Sequence, residues 1–208
     1  MKVSRQMKII SSIGIVAIAI VAIACANLNN NSIVTSVNIT TQSIAKWQRK
    51  APQLFSNVGY SKLIESGTLL NKNMSESQAE LLGIITNPFG IRDDILNYIL
   101  TNIPESNTRT RIAAIKMSYY DQQMIGVVDD KVINQLENKA GAGLYCMQLP
   151  MLEENKLIKG YDKLLRNTPE RLNEQNRIEH LLNGHIISYD FGIDTYDFKL
   201  QCNHYLGV

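Results

Sequence analysis

An uncharged stretch directly behind a basic start constrains this chain more than anything else in it. Lys2, Arg5 and Lys8 come first, and between Ile9 and Ala45 there is no charged side chain. Inside that stretch, the run from Ile13 to Ala24 is almost wholly apolar, broken only by Gly14 and small alanines. A basic segment, a short apolar run and then small residues form the export-leader pattern. Apolar residues favour the hydrocarbon, while the cationic side chains stay on the cytoplasmic side. Residues 1–24 therefore read as an export signal.

The run closes on Ala22-Ile23-Ala24-Cys25. With these residues the chain resembles the bacterial lipoprotein precursors, whose lipobox sets small or aliphatic residues before an invariant cysteine. Ala22 stands where that family usually carries Leu. The resemblance ends at the leader and concerns no part of the folded body. It implies that the Cys25 thiol is diacylglycerated, that the leader is cut before Cys25, and that the new amine is acylated, palmitate being a typical chain. Each buried methylene contributes about 0.8 kcal/mol, so three chains anchor firmly where one is marginal. Ala26 after the cysteine implies outer-membrane sorting. Two other readings stay open. Ile9–Leu28 is long enough to span a hydrocarbon core of about 30 Å as an uncleaved anchor, and an ordinary cleaved signal is the other reading. All three place the body outside the cytoplasm, facing the periplasm or the exterior.

From Cys25 to Ser43 the chain is rich in Asn, Ser and Thr, which bury too little apolar area to offset ordering entropy. This stretch reads as a flexible tether. The Asn30, Asn38 and Asn73 sequons matter only on a eukaryotic secretory route. With the leader set aside, 18 basic groups face 19 acidic ones. A body near neutrality, without clustered basic charge, is a poor partner for nucleic acid. Moderate charge and few Gly and Pro exclude collagen-like and charged disordered classes.

If Cys25 is lipidated, Cys146 and Cys202 remain as a pair in an oxidising compartment. A crosslink between positions 56 residues apart contributes roughly 4 kcal/mol by the chain-entropy argument; two buried thiols are the alternative. Neither cysteine has zinc-ligand spacing.

The body, residues 44–208, reads as one mainly helical domain. Ser77-Gln78-Ala79-Glu80 matches a capping box opening a short helix through Leu81, Leu82, Ile84 and Ile85. Asp93 is expected to cap a second segment with Ile95, Leu96, Ile99 and Ile103 on one face. A third carries Ile112, Ile115, Tyr119 and Gln123 along one side. A fourth starts near Asp129 and presents Val132, Ile133, Leu136 and Ala140. The clearest pattern is Leu157, Ile158, Tyr161, Leu164 and Leu165, with Asp162 and Arg166 as an i, i+4 pair. Thr168-Pro169-Glu170 then supplies a cap, a proline and an acid in the first turn, and Gly184 a stop. Beyond it, alternation from Thr195 to His204 predicts a strand, with His185–Phe191 as its antiparallel hairpin partner and Leu144–Leu149 as a candidate third strand.

Chemistry-bearing groups are few. Glu179, His180, His185 and Asp190 are the best reactive or metal-binding candidates, yet the histidines are five apart and Gly184 separates them, which defeats helical ligand geometry. His204 reads as a buried strand residue. Ser43-Ile44-Ala45-Lys46 has the S-x-x-K spacing but reads more simply as the start of the first helix. Gly141-Ala142-Gly143 reads as a turn or close-packing spot, and Asp93-Asp94 and Asp129-Asp130 as acids at helix starts. Met117, Met124, Met147 and Met151 read as core filler. No catalytic set, metal site or cofactor motif emerges. The expectation is a non-enzymatic membrane-tethered envelope lipoprotein that binds a protein partner, of accessory, exclusion or immunity type. The alternatives are a small envelope hydrolase with a cleft near His180 and His185, and a structural subunit with an uncleaved anchor.

Overall fold

Four of the described helices start at short polar side chains that meet otherwise orphaned backbone amides. Asn107 accepts from Thr110, Asp129 from Lys131 and Val132, Thr168 from Arg171, and Asp197 from Leu200. The computed structural model describes residues 41–50, 58–73, 80–186 and 188–208. The leader, Cys25, most of the tether and Ser77 of the capping box lie outside the described residues. Among these the helices are α1 Thr41–Lys50, α2 Val58–Asn73, α3 Asp93–Asn102, α4 Thr108–Gln123, α5 Asp130–Cys146, α6 Met151–Leu165, α7 Pro169–Leu182 and α8 Phe198–Leu206. No strand occurs among the described residues. The fold is mainly α.

The expected C-terminal hairpin is absent. The alternating run folds as α8, opened by the Asp197 cap and closed by Gly207 at φ 76°. Cys202, Tyr205 and Leu206 share its buried side, so the run carries a helical period beneath the alternation, and signals at both ends select the helix. His204 is exposed rather than buried, and Leu144–Cys146 is the last turn of α5, not a strand.

α4 is the central helix. Expected to be amphipathic, it is buried on nearly every side, including Thr110, Arg111, Ala113, Ser118 and Gln122. Small residues permit this enclosure. A Cβ added to Gly143 of α5 would stand 3.0 Å from the Ala113 carbonyl oxygen and from Met117 Cβ and N, so Gly141-Ala142-Gly143 is a packing seam. Ile95, Leu96 and Ile99 of α3 and Leu157 and Tyr161 of α6 fill the other sides. Among the methionines, Met117, Met124 and Met147 are buried as expected, whereas Met151 is exposed at the start of α6. No described helix is long and apolar enough to cross a membrane.

The segment from Gly83 to Arg92 is held by polar groups. Gly83, at φ 75°, ends the helix that precedes it, so Ile84 and Ile85 lie in the loop. Asp93 does not cap α3; Arg92 occupies that position. The Asp93 carboxylate instead accepts from the Thr86 amide at 2.9 Å, the Thr86 hydroxyl at 2.7 Å and the Asn87 side chain at 2.7 Å. Gln122 of α4 completes the arrangement, accepting from Arg92 N at 2.6 Å and donating to Gly90 O at 3.1 Å. Trp47 of α1 donates to Thr86 O at 3.0 Å, which docks the first helix here.

Candidate partner-binding face

α5 turns one side to the core and another to solvent. Ile133 and Ala140 face the core, while Asp130, Asn134 and Asn138 recur every fourth residue along an outer stripe. After α7 the chain turns at Gly184 and runs along that stripe as a strap, in the same direction as the helix. Asn138 Nδ2 donates to Asn134 Oδ1 at 2.9 Å, and Asn134 Nδ2 lies 2.7 Å from His185 Nδ1. The other ring nitrogen, Nε2, lies 3.8 Å from Asp130 Oδ2. Asn138 then receives two amides: Ser188 N on its side-chain oxygen at 2.8 Å, and Asp190 N on its carbonyl at 3.1 Å.

The strap ends in a ring cluster. Tyr145 of α5 stacks on Tyr189 at 4.9 Å between centroids and meets Phe198 edge-on at 4.9 Å, with Phe191 beside both tyrosines. One residue after Tyr145, Cys146 is disulfide-bonded to Cys202 of α8, with Cα atoms 5.6 Å apart and both residues buried. Covalent and aromatic contacts thus fasten the far end, and hydrogen bonds the near end.

The strap and the helices beside it leave large apolar groups in water. Ile186 is 87% exposed and Tyr196 fully so, and Tyr145, Tyr189 and Leu200 are each about half exposed. Scattered apolar residues are ordinary on a protein surface. Aromatic ones gathered on one segment are what protein interfaces favour.

The other candidate is interior. A nook of about 10 Å³ between α3, α4 and α7 is lined by Arg92, Ile95, Asp121, Gln122, Arg171 and Glu174. That is room for about one water molecule, whereas ligand pockets run to several hundred Å³. Tyr161 donates to Asp121 at 2.5 Å. Burial, then the neighbouring Glu137, pushes the Asp121 carboxyl up to about 7, against the pull of the Tyr161 hydroxyl. Burial likewise raises Glu137, helped by Glu179. Beside them Arg177 holds the Glu174 carboxyl below its ordinary value, and Glu174 accepts the Gly126 amide at 2.7 Å. Perturbed acids of this kind mark functional sites in many proteins. Here they are closed in by arginines whose donors are already engaged: Arg171 by Leu81 O and Asn167, Arg92 by Asp94 and Leu164 O.

The residues singled out from sequence are dispersed. His180 is exposed in the last turn of α7, and Glu179 pairs with Arg166, which also binds Asp162. Only His185 and Asp190 share a surface, both on the strap, and Asp190 accepts from Gly192 N. Among the described residues no three His, Cys, Asp or Glu side chains gather as a metal site. Lys46 is exposed in α1 and Asp129 is a helix cap. Sequence reasoning missed the Asp130-Asn134-Asn138 stripe, although its four-residue spacing was there to be read. Comparison with protein-family models, curated proteins and solved structures found no match for this chain.

Proposed function

We propose that the protein is a non-enzymatic envelope lipoprotein, held to the membrane through Cys25 and the polar tether, that binds a protein partner through the strap and the outer side of α5. The observation that carries this reading is the exposed apolar set Ile186, Tyr189, Tyr196 and Leu200 on a segment fixed by side-chain hydrogen bonds and a disulfide. Such a surface is already ordered, so binding costs little further entropy. The reading does not use His180. His185 serves it by holding the strap.

A photo-crosslinking amino acid at position 196, in intact cells, is expected to capture one partner, and the same group at exposed Glu105 is expected not to. Cys25→Ser should abolish fatty-acid labelling and membrane retention. Equal capture from both positions overturns the binding face; unchanged labelling overturns the lipid anchor.

A further inference from the structure

The strap begins at the one Asn-Gly pair in the sequence, Asn183-Gly184. Both residues are exposed and follow directly on the last turn of α7. Asn183 is the C-cap and its backbone N–H donates to His180 O, while its side-chain amide meets no hydrogen-bonding partner among the described residues. The Gly184 N–H meets no acceptor among them either. A Cβ built on Gly184 would find nothing within 4 Å, so there is open space for a ring beside it. Other exposed asparagines lack this setting. Asn155 lies inside α6 and Asn173 inside α7, where the amide that follows each belongs to the helical ladder.

We propose that Asn183 is a self-modification site whose reaction loosens the near end of the strap. Gly184 N, after losing its proton to solvent, attacks Asn183 Cγ. A C–N bond forms, the bond from Cγ to the side-chain nitrogen breaks, and that nitrogen leaves as ammonia with a proton from solvent. Water then opens the cyclic imide at either carbonyl, giving aspartate or isoaspartate. Water is the only co-reactant, and nothing is oxidised or reduced. Glycine favours the closure because no Cβ crowds the attacking nitrogen. Asn183 stands at ψ 123° and must turn before that nitrogen reaches Cγ, so the reaction draws on the locally opened strap. Isoaspartate carries the chain through its former side chain and adds a backbone methylene between Leu182 and His185, which are joined by His185 N on Leu182 O at 3.0 Å. It also sets a new carboxylate at the negative end of α7, where the helix dipole disfavours it. The His185 contact with Asn134, at 2.7 Å, is the next along the strap. The far end stays fastened by Tyr145 and the Cys146–Cys202 bond. This chemistry does not depend on what binds the strap.

The test ages the full chain in neutral detergent micelles at mildly alkaline pH, then maps its peptides by fragmentation that separates isoaspartate from aspartate. Asn183 is expected to convert about tenfold or more faster than Asn155 and Asn173, with isoaspartate among the products. Gly184→Ala, whose Cβ has open space in the fold, should slow the conversion several-fold by crowding the attacking nitrogen. Equal conversion at the three asparagines, aspartate without isoaspartate, or an unchanged rate in Gly184→Ala overturns the cyclisation. Amide exchange then reads the strap. Ser188 and Asp190, whose N–H groups bond to Asn138 at 2.8 and 3.1 Å, are expected to exchange faster in the isoaspartyl protein, while Cys202 in α8 keeps its rate. Asn183→Gln, which cyclises far more slowly, should keep fresh-protein exchange after the same ageing. Unchanged exchange at Ser188 and Asp190 in the isoaspartyl protein, or equal acceleration in aged Asn183→Gln, overturns the loosening.

Discussion

Asp121 shows how a single side chain can work against the fold that encloses it. In the unfolded chain an aspartate titrates near 3.9; in the folded protein burial lifts this one to about 7. Between those values the native state holds a proton that the unfolded state releases. The contribution to stability is therefore fully present below about pH 4 and is lost as pH rises toward and through 7. Asp121→Asn removes the titration and keeps an acceptor for the Tyr161 hydroxyl. It is expected to stabilise the protein by roughly 1–2 kcal/mol at pH 8, less than the full linkage value because the residue keeps some solvent contact, and by less at pH 5. Urea unfolding at the two pH values reads this directly. A variant less stable than the parent at both would show that ionised Asp121 is well paired.

Between α2 and the loop before α3, the backbones approach so closely that only glycine fits. A Cβ on Gly67 would lie 2.1 Å from the Phe89 carbonyl carbon, and Gly90, at φ 74°, lies against Gly67 from the other side. Gly67→Ala should cost roughly 2–4 kcal/mol, since backbone rather than a flexible side chain must move. Gly184→Ala meets nothing within 4 Å and bears only the strain of φ 86°, about 1 kcal/mol. Thermal unfolding should rank them in that order; equal effects would mean that the α2 contact yields. Neither close approach is visible in the sequence, because Gly67 and Gly90 are neighbours only in three dimensions. The caps at Asp129 and Thr168 and the packing of Leu157 and Tyr161 were legible, since they obey local spacing rules. The α8 region is ambiguous in sequence because one stretch carries both periods, and the alternation is the more conspicuous. The strap was half legible. The sequence marks His185 and Asp190 as chemistry-bearing groups, but only the path of the strap relates them to Asn134 and Asn138.

At the scale of the whole molecule, the Cys146–Cys202 bond decides whether the C-terminal helix belongs to the fold. α8 is short, and short helices hold by tertiary contact rather than by propensity. Its contacts include the buried Tyr205 and Leu206, the Tyr205 hydroxyl on Lys139 O at 2.7 Å, Arg109 on Asn203 at 2.6 Å, Phe198 on Tyr145, and the disulfide. Replacing both cysteines with serine should cost roughly 2–4 kcal/mol, with amide protection in α8 falling before that in α4. Uniform loss across both helices would mean that the bond steadies the entire domain. The same bond sets the fate of a clipped molecule. Should a protease cut between Gly184 and Tyr196, the released end would stay attached through sulfur, travelling as one chain on a gel until a reductant splits it in two.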